Sequence, residues 1–297
     1  MNGKLGNSLL LWQNHPCVVI GRHQNPWLEC DISYLERNKI PIARRKSGGG
    51  AVYHDLGNLN CTFYTSRKEY DRPKNLKLIC SAVQDMWPDL DIYPTDRDDI
   101  EMFGYKVSGT ASKLDREHAY HHLTLLVNAD LLNMSMALKN KINIESKSTK
   151  SIRSQVTNLT CSMAPSLNME SIIDCISRKV SPQSKVEIID PNEVEGVKYE
   201  REKIKSWNWI YGFSPAFTIV KDFNTSLGLH HLTIKVVKGK ISDFKLLHKE
   251  INYPFLNEIL IGSDFRPDVI EQTLEKFIGH ELCELIIGYI TGSYDDL

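Results

Sequence analysis

The chain has 297 residues, of which 41% are hydrophobic and 25% are charged, as is usual for a folded globular protein. This length allows one large domain or two of ordinary size. The net charge of −1 at pH 7 excludes general electrostatic attraction to nucleic acid, so any anion site must rest on a local cluster of basic side chains. Seven scattered cysteines without a C-x-x-C pair argue against a disulfide framework or a structural zinc site and favour a reducing compartment.

No stretch of the sequence approaches the ~20 consecutive apolar residues that a transmembrane helix requires. The chain begins Met1-Asn2-Gly3-Lys4 and enters a strand-like run at 9–12, so neither a signal peptide nor an Arg-rich presequence is visible at this end. We therefore expect no membrane partner, and the first residues give no indication of the cellular compartment.

Short β-like runs alternate with turns in the first part of the chain, where Val, Ile, Cys and aromatic residues cluster. Helices are predicted at 31–38, with Asp31 near the start, from Asn75 onward, with Asn75 as the N-cap, and at 169–180. A mixed α+β unit is thus predicted over 1–189. Its expected strands are 9–12, 17–20, 41–43, 51–54, 61–64 and 122–129.

A charged stretch at 190–206 is typical of a linker, because it combines Pro, Asn and Gly with closely spaced acidic and basic residues. Beyond it an apolar cluster starts at Trp207, and a small C-terminal accessory domain is predicted over 207–297. Its expected elements are a meander with a turn at Gly239-Lys240 and then an amphipathic helix: strands 217–220, 229–237 and 241–247, and helix 267–278.

The run 44–50 reads Arg-Arg-Lys-Ser-Gly-Gly-Gly and is followed by a strand-like run at 51–54. Three glycines can take positive φ and let a ligand approach the backbone without a Cβ in the way. Exposed N–H groups in such a turn form an anion-binding concavity, and Arg44 and Arg45 add positive charge beside it. A triple glycine alone favours a flexible hairpin turn. Together with the arginine pair, the serine and the following strand, it indicates a phosphate or adenylate site.

A second run, 106–113, reads Lys-Val-Ser-Gly-Thr-Ala-Ser-Lys. Taken alone, a lysine followed by small and hydroxyl residues favours a surface hairpin. The functional interpretation is that Lys106 projects a compact positive charge from a strand into a cleft, next to backbone that a ligand can approach at Gly109.

Two pairs of residues invite a metal-site interpretation: His54 with Asp55, and His121 with His122. Adjacent residues on a strand point to opposite faces, so neither pair can chelate a metal ion by itself. No cysteine lies in a recognisable Cys/His context. We therefore expect no metal site and no catalytic cysteine.

Both runs resemble motifs of one family. Residues 44–58 are similar at every fixed position to the R-R-x-S-G-G-G-x-V-x-x-D-x-G-N signature of lipoate-protein ligases and lipoyltransferases, and 106–111 resembles their K-[VI]-S-G-[TS]-A motif. The runs 21–26 and 207–217 also resemble family motifs, within a similarity that covers about 9–265. The resemblance implies an α+β fold: a mixed β-sheet catalytic domain of the biotin/lipoate-protein ligase type, flanked by helices, plus a small C-terminal α+β domain.

The resemblance also implies a substrate, lipoyl-adenylate (lipoyl-AMP), the mixed anhydride of lipoic acid and AMP. Lys106 would be the catalytic residue, contacting both the lipoyl carbonyl oxygen and the α-phosphate. Attack by an amine builds negative charge on both groups, and a fixed cation stabilises that charge more than it stabilises the ground state. The other lipoyl-AMP-binding residues that the resemblance implies are Arg44, Arg45, Ser47, Gly48, Gly49, Gly50, Ala51, Val52, Tyr53, Arg97, Thr124, Thr149 and Ser151.

Details such as His23-Gln24-Asn25-Pro26-Trp27 look most like the eukaryotic mitochondrial lipoyltransferases within this family. That branch implies transfer of the lipoyl group from lipoyl-AMP to a lysine of apo proteins, forming an amide. The acceptors it implies are the lipoyl domains of 2-oxoacid dehydrogenase acyltransferases and the glycine-cleavage H protein. It further implies a mitochondrial monomer with no tightly bound cofactor and no nucleic-acid partner.

Two alternatives stay open. An ATP-dependent lipoate-protein ligase would use ATP and Mg²⁺ to make lipoyl-AMP before the transfer. A non-catalytic adenylate-binding or scaffold protein would keep the glycine loop without turnover. The family usually has a strand and a helix upstream of the first strand predicted here, so we expect either a shortened form with an exposed sheet edge or a different start.

Overall fold

The fold combines antiparallel sheets with short helices. A computed structural model describes residues 7–139, 142, 144–183, 186–249 and 251–293. The strands are β1 Ser8–Trp12, β2 Cys17–Ile20, β3 Ile42–Arg44, β4 Val52–His54, β5 Asn58–Ser66, β6 Ile92–Pro94, β7 Ile100–Met102, β8 Tyr105–Lys106, β9 Thr110–Leu114, β10 His118–Leu126, β11 Glu145–Ser146, β12 Phe217–Thr225, β13 Gly228–Val237, β14 Lys240–His248 and β15 Ile251–Asn252. The helices are α1 Pro26–Glu29, α2 Ile32–Arg37, α3 Arg72–Met86, α4 Leu131–Ala137, α5 Met169–Val180, α6 Val197–Lys205, α7 Trp207–Ile210, α8 Pro254–Leu260, α9 Pro267–Leu274 and α10 His280–Thr291.

The central sheet is antiparallel, with the strand order β1-β5-β10-β9. Its two long strands pair over their whole lengths, and Cys61 lies opposite both Leu11 and Leu123. Helices α3 and α5 contribute Ile79 and Ile176, both fully buried, to the hydrophobic cluster that also contains Cys61. The apolar face that the sequence predicts for α5 is thus the face that packs against the sheet.

A small mixed sheet of order β3-β2-β4 carries the glycine run. Strand β2 pairs in parallel with β3 and antiparallel with β4. Because β3 and β4 lie on opposite sides of β2, the chain between them must cross the end of β2, where Ile20 pairs with Arg44. Residues 45–51 make this crossing, so the glycines stand at the end of a sheet and not in a hairpin turn.

The C-terminal part is an antiparallel meander of order β11-β12-β13-β14-β15. Buried and exposed residues alternate along β13, whose Leu232, Ile234 and Val236 share one apolar cluster with residues of α8, α9 and α10. The same cluster contains Ile20 and Trp27 from the first part of the chain. The C-terminal part therefore packs on the elements around the glycine run.

Most predicted elements are confirmed, some with shifted ends. The helix predicted at 169–180 is α5, which begins with a capping box. The prediction of Asn75 as the N-cap of α3 is wrong: the side chain of Asp71 caps this helix, which gains one turn. The strand predicted at 122–129 is β10, displaced toward the N-terminus. The pattern does not predict α10, because this helix is apolar around most of its circumference and shows no clear polar face.

Helix α6 lies within the stretch 190–206 that the sequence predicts as a linker. The division into 1–189, 190–206 and 207–297 stays a prediction.

None of the described helices is both long enough and apolar enough to span a bilayer.

Candidate active site

A cavity of about 510 Å³ opens between β4, β10, α4 and the segment 150–156. Leu126, Met134 and Leu138 form an apolar part of its wall. An apolar pocket with a few convergent polar groups is typical of a small-molecule site. The polar and charged residues in the wall include Glu29, Lys106, Ser108, Thr124, Lys150 and Ser151.

The backbone of Lys106 is fixed at the wall of this cavity. Its N–H donates to Gln155 O (3.0 Å), and its carbonyl accepts from Thr157 N (3.0 Å). The Lys106 Nζ lies 2.9 Å from Asp99 Oδ2, and the two side chains are 23% and 18% exposed. Because an ammonium group has three donors, this ion pair leaves donors for a ligand.

The small residues after Lys106 are fixed to β10. Gly109 N donates to Thr124 Oγ1 (2.9 Å), and Thr124 N donates to Gly109 O (2.9 Å). Both residues line the cavity. Thr124 therefore holds the backbone of Gly109 in place through its side chain as well as its main chain.

Ser151 joins three elements around the cavity. Its Oγ accepts from Ala51 N (2.8 Å) and Gln24 Nε2 (3.0 Å) and donates to the carboxylate of Glu29. Burial raises the pKa of Glu29, and the hydrogen bonds from Ser151 oppose this rise. The neighbouring Thr149 uses its carbonyl, which accepts from Gln24 Nε2 (3.4 Å), and it lies outside the cavity lining.

Arg45 supports the glycine run from behind. Its Nη2 donates to the carbonyls of Gly48 and Gly50, both at 2.7 Å, and its Nη1 donates to Val19 O (2.9 Å). Burial lowers the pKa of Arg45 to about 10, so the guanidinium group stays charged at neutral pH. Of the three glycines only Gly49 has a positive φ, 89°, so the left-handed conformation is needed at one position of the run.

Ser47 is buried, and its hydroxyl lies 2.8 Å from His122 Nε2. Burial and the nearby charge of Arg45 lower the pKa of His122 to about 4, so its ring is neutral at pH 7. This hydrogen bond fixes the start of the glycine run to β10. Within the described ranges, no cluster of three or more His, Cys, Asp and Glu side chains is placed to hold a metal ion.

Some of the residues implied by the sequence come together and others do not. Arg45, Ser47 and the glycines lie behind the cavity wall, where a Cβ built on Gly50 would be 3.0 Å from Ser151 Oγ. Arg97 is exposed in the turn before β7. The residues that line one cavity are Ala51, Val52, Tyr53, Lys106, Thr124 and Ser151.

Sequence reasoning does not identify Glu29 and Asp99. Asp99 has a local signal, because the tight turn between β7 and β8, with Gly104 at a φ of 79°, pairs Lys106 with Glu101, two residues from Asp99. Glu29 has no such signal, since its partner Ser151 is 122 residues away in the sequence.

The chain is similar to proteins that act on lipoate. The family model described as "Lipoyl protein ligase A/B catalytic domain" matches residues 1–181. The chain is 40% identical over 277 residues to the mitochondrial lipoyl amidotransferase LIPT1 of Homo sapiens, a match that covers 87% of this chain and 74% of the relative. It is 32% identical over 296 residues to lipoate-protein ligase A of Bdellovibrio bacteriovorus, covering 94% and 86% of the two chains.

Solved structures show the same fold. P. falciparum LipL1 in complex with lipoate superposes with a TM-score of 0.59 at 21% identity, covering 98% of this chain and 89% of the other. A lipoate-protein ligase A bound with ATP gives a TM-score of 0.51 at 24% identity, covering 66% and 79%. The predicted α+β fold of the lipoate-ligase type is thereby confirmed. Since the family model covers more than half of the sequence and the relatives cover most of it, the chain belongs to the lipoyl protein ligase A/B family.

Proposed function

We propose that the chain transfers a lipoyl group from lipoyl-AMP to the ε-amine of a lysine on an apo protein. The amine attacks the acyl carbon and loses a proton, the acyl–phosphate bond breaks, and AMP leaves with the bonding electrons. The observation that carries this proposal is the position of Lys106, which lines one cavity with the strand that follows the glycine run.

Lipoyl transfer to protein is the activity of this chain, which is a transferase. The donor, the acceptors and the roles of individual residues are the proposed part. The relative from Mus musculus, at 39% identity, is also a lipoyl amidotransferase by name.

Lys106 stabilises the charge that develops during transfer. Negative charge builds first on the acyl carbonyl oxygen and then on the phosphate of the leaving AMP, and one ammonium group can donate to both. The ion pair with Asp99 holds the Lys106 side chain in a defined direction before the substrate binds.

The adenylate occupies the cavity in this proposal. A volume of about 510 Å³ is in the range of small-molecule sites. Ala51, Val52 and Tyr53 form the wall next to the glycine run, and Ser151 lines the same cavity. We assign Ser151 to the purine side of the nucleotide, as the sequence resemblance implies. Arg45 and the glycines shape this wall from behind, and Arg45 adds positive charge to it.

We propose the lipoyl domains of 2-oxoacid dehydrogenase acyltransferases and the glycine-cleavage H protein as acceptors, and the mitochondrion as the compartment. Two relatives are mitochondrial by name. A structurally similar bipartite lipoate protein ligase from Thermoplasma acidophilum is described together with its E2 lipoyl domain. We further propose that the enzyme acts as a monomer.

An ATP-dependent ligase that also makes lipoyl-AMP is the second candidate, favoured by the similarity to lipoate-protein ligase A over 94% of the chain. Mg²⁺ binds through carboxylate oxygens. Near Lys106, however, Asp98 is paired with Arg72 (2.5 Å) and Asp99 with Lys106 (2.9 Å), so both carboxylates already have a cationic partner in this arrangement.

Mass spectrometry of an apo H protein separates the candidates. The protein is incubated with the enzyme and either lipoyl-AMP or lipoate with ATP and Mg²⁺. We expect acylation of the acceptor lysine with lipoyl-AMP and little with the second mixture. Acylation with both mixtures supports the ligase, and acylation with neither supports a non-catalytic adenylate-binding protein.

Replacement of Lys106 tests the mechanism. We expect Lys106→Ala to lower the rate of transfer from lipoyl-AMP about a hundred- to a thousand-fold, because a preorganised cation is lost at the charge that develops. The thermal unfolding temperature should change little, since Lys106 is partly exposed. Lys113→Ala, in the same run but outside the cavity lining, is the matched control. Wild-type transfer by Lys106→Ala would remove Lys106 from the mechanism.

A further inference from the structure

Arg44 lies outside the cavity lining and is enclosed by backbone. Its side chain is 2% exposed. On one side its Nη1 donates to the carbonyls of Gln24 (2.7 Å), Arg22 (2.9 Å) and Gly21 (3.2 Å). These acceptors belong to the loop between β2 and α1.

The other side of the same guanidinium group faces the C-terminal part of the chain. Arg44 Nε donates to Ile210 O (2.9 Å) and Trp209 O (3.1 Å), and Nη2 donates to Ser214 Oγ (2.9 Å). In return Trp209 Nε1 donates to Arg44 O (2.7 Å). A single side chain therefore joins the loop after β2 to α7 and the turn that follows it.

Only arginine can make this connection. In the described part of the chain, the partners of the guanidinium group are oxygens without formal charge. Guanidinium presents five N–H donors along the edges of a rigid plane, whereas the three donors of lysine sit on one nitrogen. Burial lowers the pKa of Arg44 to about 10, so the group is charged when it binds these oxygens.

The loop at 21–24 is itself part of the site. The side chain of Gln24 donates to Ser151 Oγ (3.0 Å), which lines the cavity. Gly21 packs so closely on the glycine run that a Cβ built on it would lie 2.0 Å from Gly49 O. A displacement of this loop must therefore move both the glycine run and the Ser151 segment.

We propose that Arg44 is a positioning residue that couples the docking of the C-terminal unit, from α7 onward, to the shape of the lipoyl-AMP site. Arg44 acts through the loop at 21–24 and does not contact the nucleotide. The sequence resemblance implies substrate binding by Arg44, but its hydrogen bonds all go to protein oxygens. The identity of the site as a lipoyl-AMP site, and with it the binding and kinetic measurements, rests on the proposed function, whereas the hydrogen-exchange measurement does not.

Three variants weaken the connection: Arg44→Lys, Ser214→Ala and Trp209→Phe. Ser242→Ala is the matched control, because its hydroxyl bonds within the C-terminal meander, to Lys235 O (3.1 Å). Hydrogen exchange of the ligand-free enzyme is measured well below its unfolding temperature. Binding of a lipoyl-adenylate analogue with a sulfamoyl linkage, and the kcat and KM for lipoyl-AMP, are measured on the same samples.

We expect exchange in Arg44→Lys to rise in 21–24 and 45–50 as well as in 207–214. Its affinity for the analogue should fall about tenfold, and that of Ser214→Ala about threefold, because the site is less preorganised. The kcat at saturating lipoyl-AMP should stay within about twofold of wild type, since Lys106 is untouched. Ser242→Ala should behave as wild type.

Faster exchange confined to 207–214, with wild-type affinity for the analogue, would overturn the proposal, because Arg44 would then only fasten the C-terminal unit. If Arg44→Lys does not fold, the same exchange and binding measurements on Ser214→Ala and Trp209→Phe test the proposal. If the wild-type enzyme does not bind the analogue, the proposed function fails. The exchange pattern of the ligand-free variants still decides the role of Arg44 in that case.

Discussion

The ion pair of Lys106 and Asp99 holds the Lys106 ammonium group in a defined direction at the cavity. The two charged atoms are 2.9 Å apart, and both side chains are mostly shielded from water. A charge pair in such a position is stronger than one on the open surface, because solvent screening is weaker. Asp99 thus orients the ammonium group that the proposed transfer requires.

Replacement of Asp99 by a neutral residue should separate the effect of the orientation of Lys106 from the effect of its charge. We expect Asp99→Asn to lower kcat about tenfold, which corresponds to about 1.4 kcal/mol of transition-state stabilisation, because Lys106 keeps its charge but loses its anchor. KM for lipoyl-AMP should change less. Steady-state kinetics measure both, with Asp96→Asn, at an exposed position nearby, as the control. A higher kcat in Asp99→Asn would mean that Asp99 restrains the lysine instead of orienting it.

At the scale of elements, α10 determines how the C-terminal sheet is covered. Its residues Cys283, Ile286 and Ile290 are buried in the cluster that contains the inner face of β13. The C-terminal meander would otherwise expose an apolar face to water. The stability of this sheet therefore depends on a helix that is mostly apolar and that the sequence pattern did not predict.

Truncation of one α10 side chain tests this dependence. We expect Ile286→Ala to lower the free energy of unfolding by about 2–5 kcal/mol, because Ile286 is 0% exposed and a cavity would remain. Urea denaturation followed by fluorescence measures the change. Ile188→Ala, at a side chain that is 95% exposed, should change it by no more than about 0.5 kcal/mol. Equal effects of the two substitutions would show that α10 does not cover the sheet in solution.

At the scale of the whole molecule, three histidines that are largely shielded from water connect stability to pH: His54 and His121 are buried, and His122 is half-buried. Burial is the main cause that lowers the pKa of His54 to about 3 and those of His121 and His122 to about 4. The ordinary histidine pKa is about 6.5, so the unfolded chain takes up protons at a higher pH than the folded one. Their contribution to stability is present above about pH 6.5 and is lost as the pH falls toward about 4.

Acid should therefore destabilise the enzyme before its carboxylates titrate. We expect each of these histidines to remove up to about 2 kcal/mol of stability between about pH 7.5 and 5. His121→Phe keeps an aromatic ring beside Phe63, whose centroid is 6.2 Å away, and should reduce the loss of stability between these pH values by up to about 2 kcal/mol. Urea unfolding at the two pH values measures it, with the exposed His280→Gln as control. An unchanged pH dependence in His121→Phe would contradict the assignment.

Local pattern determined the elements and the general location of the site. Runs rich in Val, Ile, Cys and aromatic residues identified most strands, and the 3.6-residue period identified α5. The lysine motif and the strand after the glycine run identified two walls that share one cavity. These features depend on φ preferences and side-chain periods over a few residues, which the sequence contains directly. The sequence also determined the family, because the run 44–58 matches its signature at every fixed position.

Only the tertiary structure decided which long-range contacts these residues and elements make. Adjacent arginines with the same local sequence signal have different roles: Arg45 supports the glycine run, while Arg44 binds carbonyls at 209 and 210. Glu29 accepts a hydrogen bond from Ser151 at the cavity, and α10 completes the C-terminal core. Each of these contacts joins residues distant in the sequence, and burial and hydrogen-bond satisfaction across the whole fold select them. No local period or motif encodes such a partner, and this is why the sequence alone could not assign it.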